Sequence, residues 1–408
     1  MTDAYAAFRV PDFRRFIVFL AAQTLATMMQ GVAVGWQLYN VTHDPLALGL
    51  VGLAEALPFI GFALPAGHVA DRVDRRVLSL IACSVIGACS LGLLLVTVTG
   101  AVRPNTAWVV YAIIFVSGIA RAYLQPTRVA LSADLVPREL YVNSITWRSV
   151  TWQSAAVAGP AIGGLLVAFG GPALAYGVAV TLLVAAVVAL ARVAPQPRAV
   201  PAGGTGGGLA GLMEGLRFAL GQRVLLGAQL LDVLSVLFAG AEALLPIFAA
   251  DILHVGAAGL GVLRAAPAAG SVAMSLFQSF RPLKGRMGRI LLVSVVLYGL
   301  CISGFGLSRS FPLSVFLLLA SGVFDNVSVV LRSTLLQTLT PRHLLGRVAG
   351  LNAIFIGSSN EIGAFESGVA ARLIGAVPAV VLGGLVPILV VGLIAWRIPQ
   401  LRRLEQVS

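Results

Sequence analysis

Charged side chains stand inside stretches that are otherwise apolar enough to cross a membrane: Glu55, Arg121, Arg128, Arg148, Asp232, Glu242, Arg264, Asp325, Arg332, Glu361, Glu366 and Arg372. A charge at the bilayer centre costs about 2.5–3.5 kcal/mol on insertion scales, so each needs a partner, a wet cavity or a task. Carboxylates in such a place can load and release protons, and arginines can attract anionic groups. Arg128, Arg332 and Arg148 lie near cytoplasmic ends and Arg372 near an outer end, where a long side chain can reach the interface. Arg121, Asp325 and Glu361 lie close to mid-membrane. Glu55, Glu242 and Glu366 each lie about eight residues from the outer end of their stretch, roughly 10–12 Å below the surface at 1.5 Å per residue. These three are therefore the first candidates for proton coupling, with Glu361 and Asp325 next. The competing reading is an ion-pair network that only holds helices together.

Polar residues accompany the charges. Gln23, Gln30 and Gln37 are spaced by seven, which puts them on one helical face. They can hydrogen-bond a substrate or join neighbouring helices. Trp147 and Trp152 flank Arg148, offering either stacking to a ligand or an interfacial aromatic belt. Arg121, Gln30, Gln125, Trp152 and Arg264 are the expected lining of a substrate cavity. The 4 histidines are scattered, and Cys83, Cys89 and Cys301 lie inside apolar runs as small packing residues. Neither a metal site nor another cofactor is expected. A phosphate-cradling Gly-x-x-x-x-Gly-Lys-Ser/Thr loop is absent, which argues against ATP as the energy source.

The elements that position these residues follow from composition. The chain has 408 residues, 58% hydrophobic and 11% charged, with mean hydropathy +0.95. A soluble domain carries about 25% charged residues, so the excess apolar surface belongs in a bilayer. The net charge of +12 does not indicate nucleic acid, because the basic residues form short clusters between apolar runs. An apolar run of about 20 residues spans the hydrocarbon. Such runs predict helices at 16–40, 46–69, 77–99, 107–133, 144–169, 172–192, 223–249, 257–280, 289–308, 312–338, 347–374 and 377–396. Polar residues in the first, fourth, seventh and eleventh predict tilt or interruption. Every third helix lacks internal charge, as an outer ring facing lipid would.

Arginines and lysines crowd alternate loops, including Arg72, Arg75, Arg76, Arg138, Arg281, Lys284, Arg286 and Arg342, whereas the other loops hold little beyond Arg103 and Arg309. That bias places both termini in the cytoplasm. Met1 to Arg15 shows no cleavable signal, so the first apolar run is expected to stay as a helix. A Pro/Gly stretch from Pro195 to Gly208 reads as a linker, followed by an amphipathic segment from Leu209 to Gln222 suited to a membrane surface. The expected organisation is a six-helix half at 1–193, a linker region at 194–222 and a second half at 223–408. The halves repeat: Ser117-Gly118 aligns without gaps with Ser321-Gly322, so Arg128 meets Arg332, Gly159 meets Gly363 and Gly164 meets Gly368. Duplicated helical units are the organisation of many secondary transporters.

Gly67-His-Val-Ala-Asp71-Arg72-Val-Asp74-Arg75-Arg76, between the second and third helices, resembles the signature loop of the major facilitator superfamily. The resemblance implies a conformational latch at Gly67, Asp71, Arg72, Arg75 and Arg76. Asp74 replaces the usual glycine, a departure expected to alter the turn. Ala155-Ala-Val-Ala-Gly159-Pro160-Ala-Ile-Gly163-Gly164 looks like the helix-5 motif of the superfamily's antiporters, and Arg121 with Gln125 is a weaker likeness to their helix-4 motif. Gly215-Leu-Arg-Phe218, Leu336-Gln337-Thr-Leu-Thr-Pro341, Leu345-Gly346-Arg347 and Gly350-Leu351 resemble the enterobactin-exporter branch, also described as transmembrane secretion effectors. That likeness implies an all-α integral membrane protein of twelve transmembrane helices in two pseudo-symmetric halves. It also implies a monomeric inner-membrane protein that exports an amphipathic small molecule, such as a siderophore or drug, in exchange for protons. The alternatives are an importer or facilitator of a small metabolite and, from other classes, a membrane-embedded enzyme or a scaffold. The partners expected are substrate, protons and the lipid bilayer, with no nucleic acid.

Overall fold

The computed structural model describes residues 5–195, 209–281, 285–341, 344–402 and 404, and these form helices and turns with no strand among them. Helices suit a bilayer because every backbone polar group is satisfied within its own segment. The long helices are α1 (Pro11–Thr42), α2 (Pro45–Arg72), α3 (Arg75–Val98), α4 (Trp108–Asp134), α5 (141–169), α6 (172–191), α7 (Arg223–Phe238), α8 (Gly256–Phe280), α9 (Met287–Leu307), α10 (Phe311–Leu339), α11 (Leu345–Ile374) and α12 (Ala376–Arg397). Ten stretches among the described residues are long and apolar enough to cross a membrane, one of which holds both α5 and α6. The chain breaks between those two at Gly170 and Gly171, where Gly171 takes φ 71. Such a φ is easy only for glycine. α11 falls outside the ten because its charged and polar residues lower its hydropathy.

The seventh predicted helix is not continuous to residue 249. α7 ends at Phe238, and the chain continues through 3-10 and π turns over Ala241–Leu244 and Phe248–Ile252. The break falls at Ala239-Gly240, where a Cβ on Gly240 would lie 2.8 Å from Ser367 Oγ and 3.0 Å from the Gly363 carbonyl oxygen. Glu242 therefore stands on a tight turn, not on a regular helix. α1, for which tilt or interruption is expected, is unbroken over 32 residues.

The helices form two compact units. The first comprises Met1–His43, Ala54–Gly204 and Gly256–Ala265; the second comprises Asp44–Leu53, Thr205–Val255 and Ala266–Ser408. The core of the first unit packs Phe13, Phe16 and Phe19 of α1 with Ile86 of α3, Leu131 of α4 and Leu190 of α6. The second unit gathers Leu231 of α7, Leu291 of α9, Leu331 of α10 and Ile394 of α12. Phe169, Leu389 and Trp396 stay outside both cores, as residues that meet hydrocarbon do. The three cysteines are buried free thiols.

Contacts inside each unit follow the sequence repeat. Gly159 lies against Leu25 and Met28 of α1, and its counterpart Gly363 against Val236 and Leu237 of α7. Gly164 approaches Gly261 of α8, as its counterpart Gly368 approaches Gly49 of α2. Gly118 lies against Pro58 of α2, and Gly322 against Pro267 of α8. Small residues at these points let backbones come close enough for dispersion contacts, which drive helix association where there is no water to expel.

Candidate functional site

In the first unit, Arg121 on α4 donates to Glu55 on α2 at 2.6 Å, and both side chains remain partly accessible. The pair joins a residue expected to carry protons to one expected to meet substrate. Arg121 is thus engaged by the protein itself. Seven residues further along α4, Arg128 reaches Gln23 of α1 at 3.4 Å. Arg148 of α5 donates to the Ser132 hydroxyl at 2.9 Å and to the Val129 carbonyl at 3.5 Å. Arg264 on α8 donates to the Gly31 carbonyl of α1 at 3.1 Å. Gln125 and Trp152 are exposed.

The glutamines of α1 serve its neighbours. Gln30 accepts a hydrogen bond from Ser90 of α3. Gln37 donates to Thr97 at 3.0 Å and accepts from the Tyr176 hydroxyl of α6 at 2.9 Å. Trp147 packs against Tyr5 and Phe8 at the N-terminus, with ring centroids 5.3 and 4.8 Å away.

In the second unit, Arg332 of α10 and Asp232 of α7 form an ion pair with side chains only 8% and 5% exposed. Arg332 also donates to the Ser328 carbonyl at 3.2 Å. Asp232 is the partner that sequence reasoning left unassigned; its signal was position, since α7 corresponds to α1 in the repeat and Asp232 occupies the level at which α1 offers Gln23. Asp325 and Glu242 lie within electrostatic reach of each other and of the Tyr298 hydroxyl. Glu366 lies in hydrogen-bond reach of its neighbour Ser367. Glu361 stands where the first turns of α2 meet α11, its carbonyl 2.6 Å from a Cβ placed on Gly52. Of the expected carboxylates, Glu55 is the one held in an ion pair with an expected cavity residue, Arg121.

The α2–α3 loop is tied from several sides. Arg75 donates to both carboxylate oxygens of Asp134, at 2.7 and 2.9 Å, at the C-terminal end of α4. Arg76 donates to the Ala191 carbonyl at 2.6 Å at the end of α6. Asp74 caps α3 by accepting from the backbone N–H groups of Arg76 and Val77 at 2.8 and 3.3 Å. A capping carboxylate satisfies backbone donors that a glycine would leave to solvent, which explains its fit at that position. The Asp71 side chain lies outside the described residues, as do Arg342, Lys284 and most of the linker. Asp134 is a further partner that spacing did not reveal, because it comes from a different helix. The Arg75–Asp134 pair is half-exposed, so it contributes at most about 1 kcal/mol. If it exists in only one transport conformation, its loss shifts the conformational equilibrium about fivefold. Arg75→Ala is therefore expected to lower the transport rate in proteoliposomes about fivefold with little change in thermal unfolding. The charge swap Arg75→Asp with Asp134→Arg should recover it, and no recovery would detach this pair from the latch.

Segments resembling the exporter branch assemble at one place. The short helix Leu209–Gly221 carries Gly215 against Arg347 and Leu351 of α11, while Glu214 forms an ion pair with Arg347. Phe218 packs with Leu336, Leu344 and Val348.

A family described as transmembrane secretion effector matches residues 2–408. The chain is 29% identical over 412 residues to the enterobactin exporter EntS of Citrobacter koseri, covering 100% of this chain and 95% of that one. It is 30% identical over 357 residues to EntS of Escherichia coli O1:K1 / APEC, covering 86% and 82%. Among solved structures it is similar to a mutant of the nucleoside transporter NupG, with TM-score 0.76 and 11% identity over 95% of this chain and 100% of that one. It is also similar to a bacterial homologue of the human lysosomal transporter Spinster, with TM-score 0.75 and 14% identity over 98% and 99%. These likenesses bear out the all-α membrane fold of the major facilitator type and favour transport over an enzyme. The chain belongs to the transmembrane secretion effector family, multi-pass membrane transporters of the major facilitator superfamily that carry small molecules.

Proposed function

We propose that this protein is a proton-coupled exporter of an amphipathic small molecule of the siderophore or drug class, working by alternating access. It resides in the inner membrane as a monomer with both termini in the cytoplasm, and 1–193 and 223–408 are its two halves, joined by 194–222. The observation that carries this reading is the Glu55–Arg121 pair, 2.6 Å apart and partly accessible on two membrane helices. An ionised carboxylate accepts charge-assisted hydrogen bonds from substrate hydroxyls; a protonated one turns one oxygen into a donor and accepts only weaker, neutral bonds. Proton and substrate then exclude one another at Glu55, which is what exchange requires. Arg121 holds the carboxylate in its charged, oriented state between cycles. Asp325 with Glu242, and Glu366 with Glu361, supply further carboxylates for proton movement in the second unit. Relatives named as enterobactin exporters favour the outward direction and a catechol-bearing substrate.

The test is pH-driven uptake of a catecholate siderophore into inside-out vesicles. Glu55→Gln is expected to keep downhill equilibration but lose accumulation against a gradient, and Glu366→Gln to weaken it. Wild-type accumulation by both variants would place coupling elsewhere, with Glu361 and Asp325 the next to replace.

A further inference from the structure

A groove of about 310 Å³, open on one side, runs along the second unit between α8, α9 and α10. Met274 of α8, Val293 and Leu297 of α9, and Val323, Phe324 and Val327 of α10 wall it. Its polar lining is Arg289 and Ser294, and the Ser294 hydroxyl donates to the Ile290 carbonyl of its own helix at 2.8 Å. A site for a soluble ligand presents several polar groups that orient it; this groove presents one, at one end. Arg289, Val293 and Leu297 are spaced by four, so they follow one face of α9, the arginine in its first turn. From Arg289 to Leu297 is about 12 Å along the helix, close to the hydrocarbon depth of one leaflet, about 15 Å. Past Arg289, α9 carries no charge, and its Val293 and Leu300 are exposed, as residues that meet hydrocarbon are.

The first unit answers the equivalent arginine with a carboxylate. Arg75 opens α3 and is held by Asp134 at the end of α4. In the second unit the repeat puts Thr338 where Asp134 stands, and its hydroxyl donates to the Thr334 and Leu335 carbonyls of α10 at 2.8 and 3.3 Å. No aspartate or glutamate occurs between Asp251 and Asp325, so the turn from α8 to α9, with Arg281, Arg286 and Arg289, has basic residues and no carboxylate of its own. Among the described residues Arg289 has no carboxylate at ion-pair distance. Water can satisfy an exposed arginine, so the charge alone implies no ligand. Its position does: a cation at the interfacial end of an apolar groove one leaflet deep complements both the head and the tail of a lipid.

We infer that this groove holds an acyl chain of an anionic phospholipid from the leaflet at the α8–α9 turn, with its phosphate at Arg289. In the orientation proposed above, that leaflet is the cytoplasmic one, whose surface is negatively charged. Behind the groove α8 is fastened to α10: Ser271 donates to the Gly322 carbonyl at 3.0 Å, and Asn326 donates to the Ser275 hydroxyl at 3.0 Å. The acyl chain fills the space between α9 and this seam, bracing the three helices. A lipid that binds the folded protein there stabilises it by mass action.

The test is native mass spectrometry of the full chain from micelles carrying equal amounts of phosphatidylglycerol and phosphatidylcholine with the same acyl chains. The wild type is expected to retain phosphatidylglycerol about fivefold over phosphatidylcholine, the worth of one cation at an anionic headgroup. Arg289→Gln should bring the two lipids level. Val293→Trp fills the groove from its open side and should lower retention of both. Arg223→Gln, at the start of α7 and outside the groove, should keep the wild-type preference. Thermal unfolding should rise with added phosphatidylglycerol in the wild type and less in Arg289→Gln. Arg289 and Val293 are both exposed, so either variant should fold, and each decides the question without the other. Equal retention of the two lipids by the wild type would overturn the proposal, as would an unchanged preference in Arg289→Gln. Full retention of phosphatidylglycerol in Val293→Trp would overturn it too, placing the lipid on the basic surface and not in the groove. Displacement of the lipid by glycerol 3-phosphate at equal concentration would do the same, making Arg289 a site for a free phosphate. Neither substrate nor gradient enters these measurements, so their failure leaves exchange at Glu55 standing.

Discussion

Asp232→Asn is expected to destabilise the protein by about 3–5 kcal/mol, because it strands the Arg332 charge where both side chains are almost wholly buried. A pair this deep gains its attraction in a low dielectric but loses the hydration of two ions, so the pair itself is close to neutral for stability. Removing one partner is different, since the remaining charge keeps its desolvation cost and loses its compensation. The reverse single change, Arg332→Met, should be similarly damaging for the carboxylate. The double change Asp232→Asn with Arg332→Met removes both charges and should unfold near the wild-type temperature. Thermal unfolding of the four proteins in detergent, followed by intrinsic fluorescence, gives the double-mutant cycle directly. Additive effects of the two single changes would mean that the pair carries no coupling and that Arg332 is balanced otherwise.

Arg121→Ala is expected to reduce pH-driven export about a hundredfold while the protein still inserts and folds. The guanidinium and the Glu55 carboxylate, 2.6 Å apart, cancel one another on membrane helices. Without Arg121, Glu55 has lost this partner, and a lone charge at that depth costs about 2.5–3.5 kcal/mol. If one conformation hydrates that charge better than the other, the cycle stalls by roughly the corresponding factor, about a hundredfold. Arg121→Lys should keep part of the rate, because an ammonium retains the charge but lacks the planar fork. The neutral double variant Glu55→Gln with Arg121→Gln should move substrate downhill without responding to pH. The measurement is initial-rate uptake in inside-out vesicles with and without an imposed gradient. Wild-type rates in Arg121→Ala would remove this pair from the mechanism.

The sequence by itself determined the membrane class, the helix count, the repeat and the basic loops. Each is a property of local composition: an apolar run of sufficient length has to be a helix in hydrocarbon, whatever surrounds it. The glycines at 118, 159 and 164 and their counterparts were visible for the same reason, as small residues recurring in register. The family likeness was legible in segments such as Gly215–Phe218 and Leu345–Arg347, which the fold then brings together. Even the break in α7 was foreshadowed by its polar content, though its position at Ala239-Gly240 was not.

Only the tertiary structure decided who partners whom. Depth along a helix can be counted from a sequence, but the direction in which a side chain points across to another helix depends on packing and on crossing angle. Three carboxylates at one counted depth could be listed from the sequence, but not that Glu55 would meet Arg121. The glutamine stripe of α1 was legible as a face, but not that Gln30 and Gln37 would be taken up by α3 and α6. Asp232 and Asp134 gained their roles from Arg332 and Arg75, residues far away in the chain. The contrast between an Arg332 paired with Asp232 and an Arg128 that donates to the Gln23 amide became visible once the two units could be compared contact by contact. Charge type is written in the sequence; charge balance is a property of neighbours, and folding chooses the neighbours.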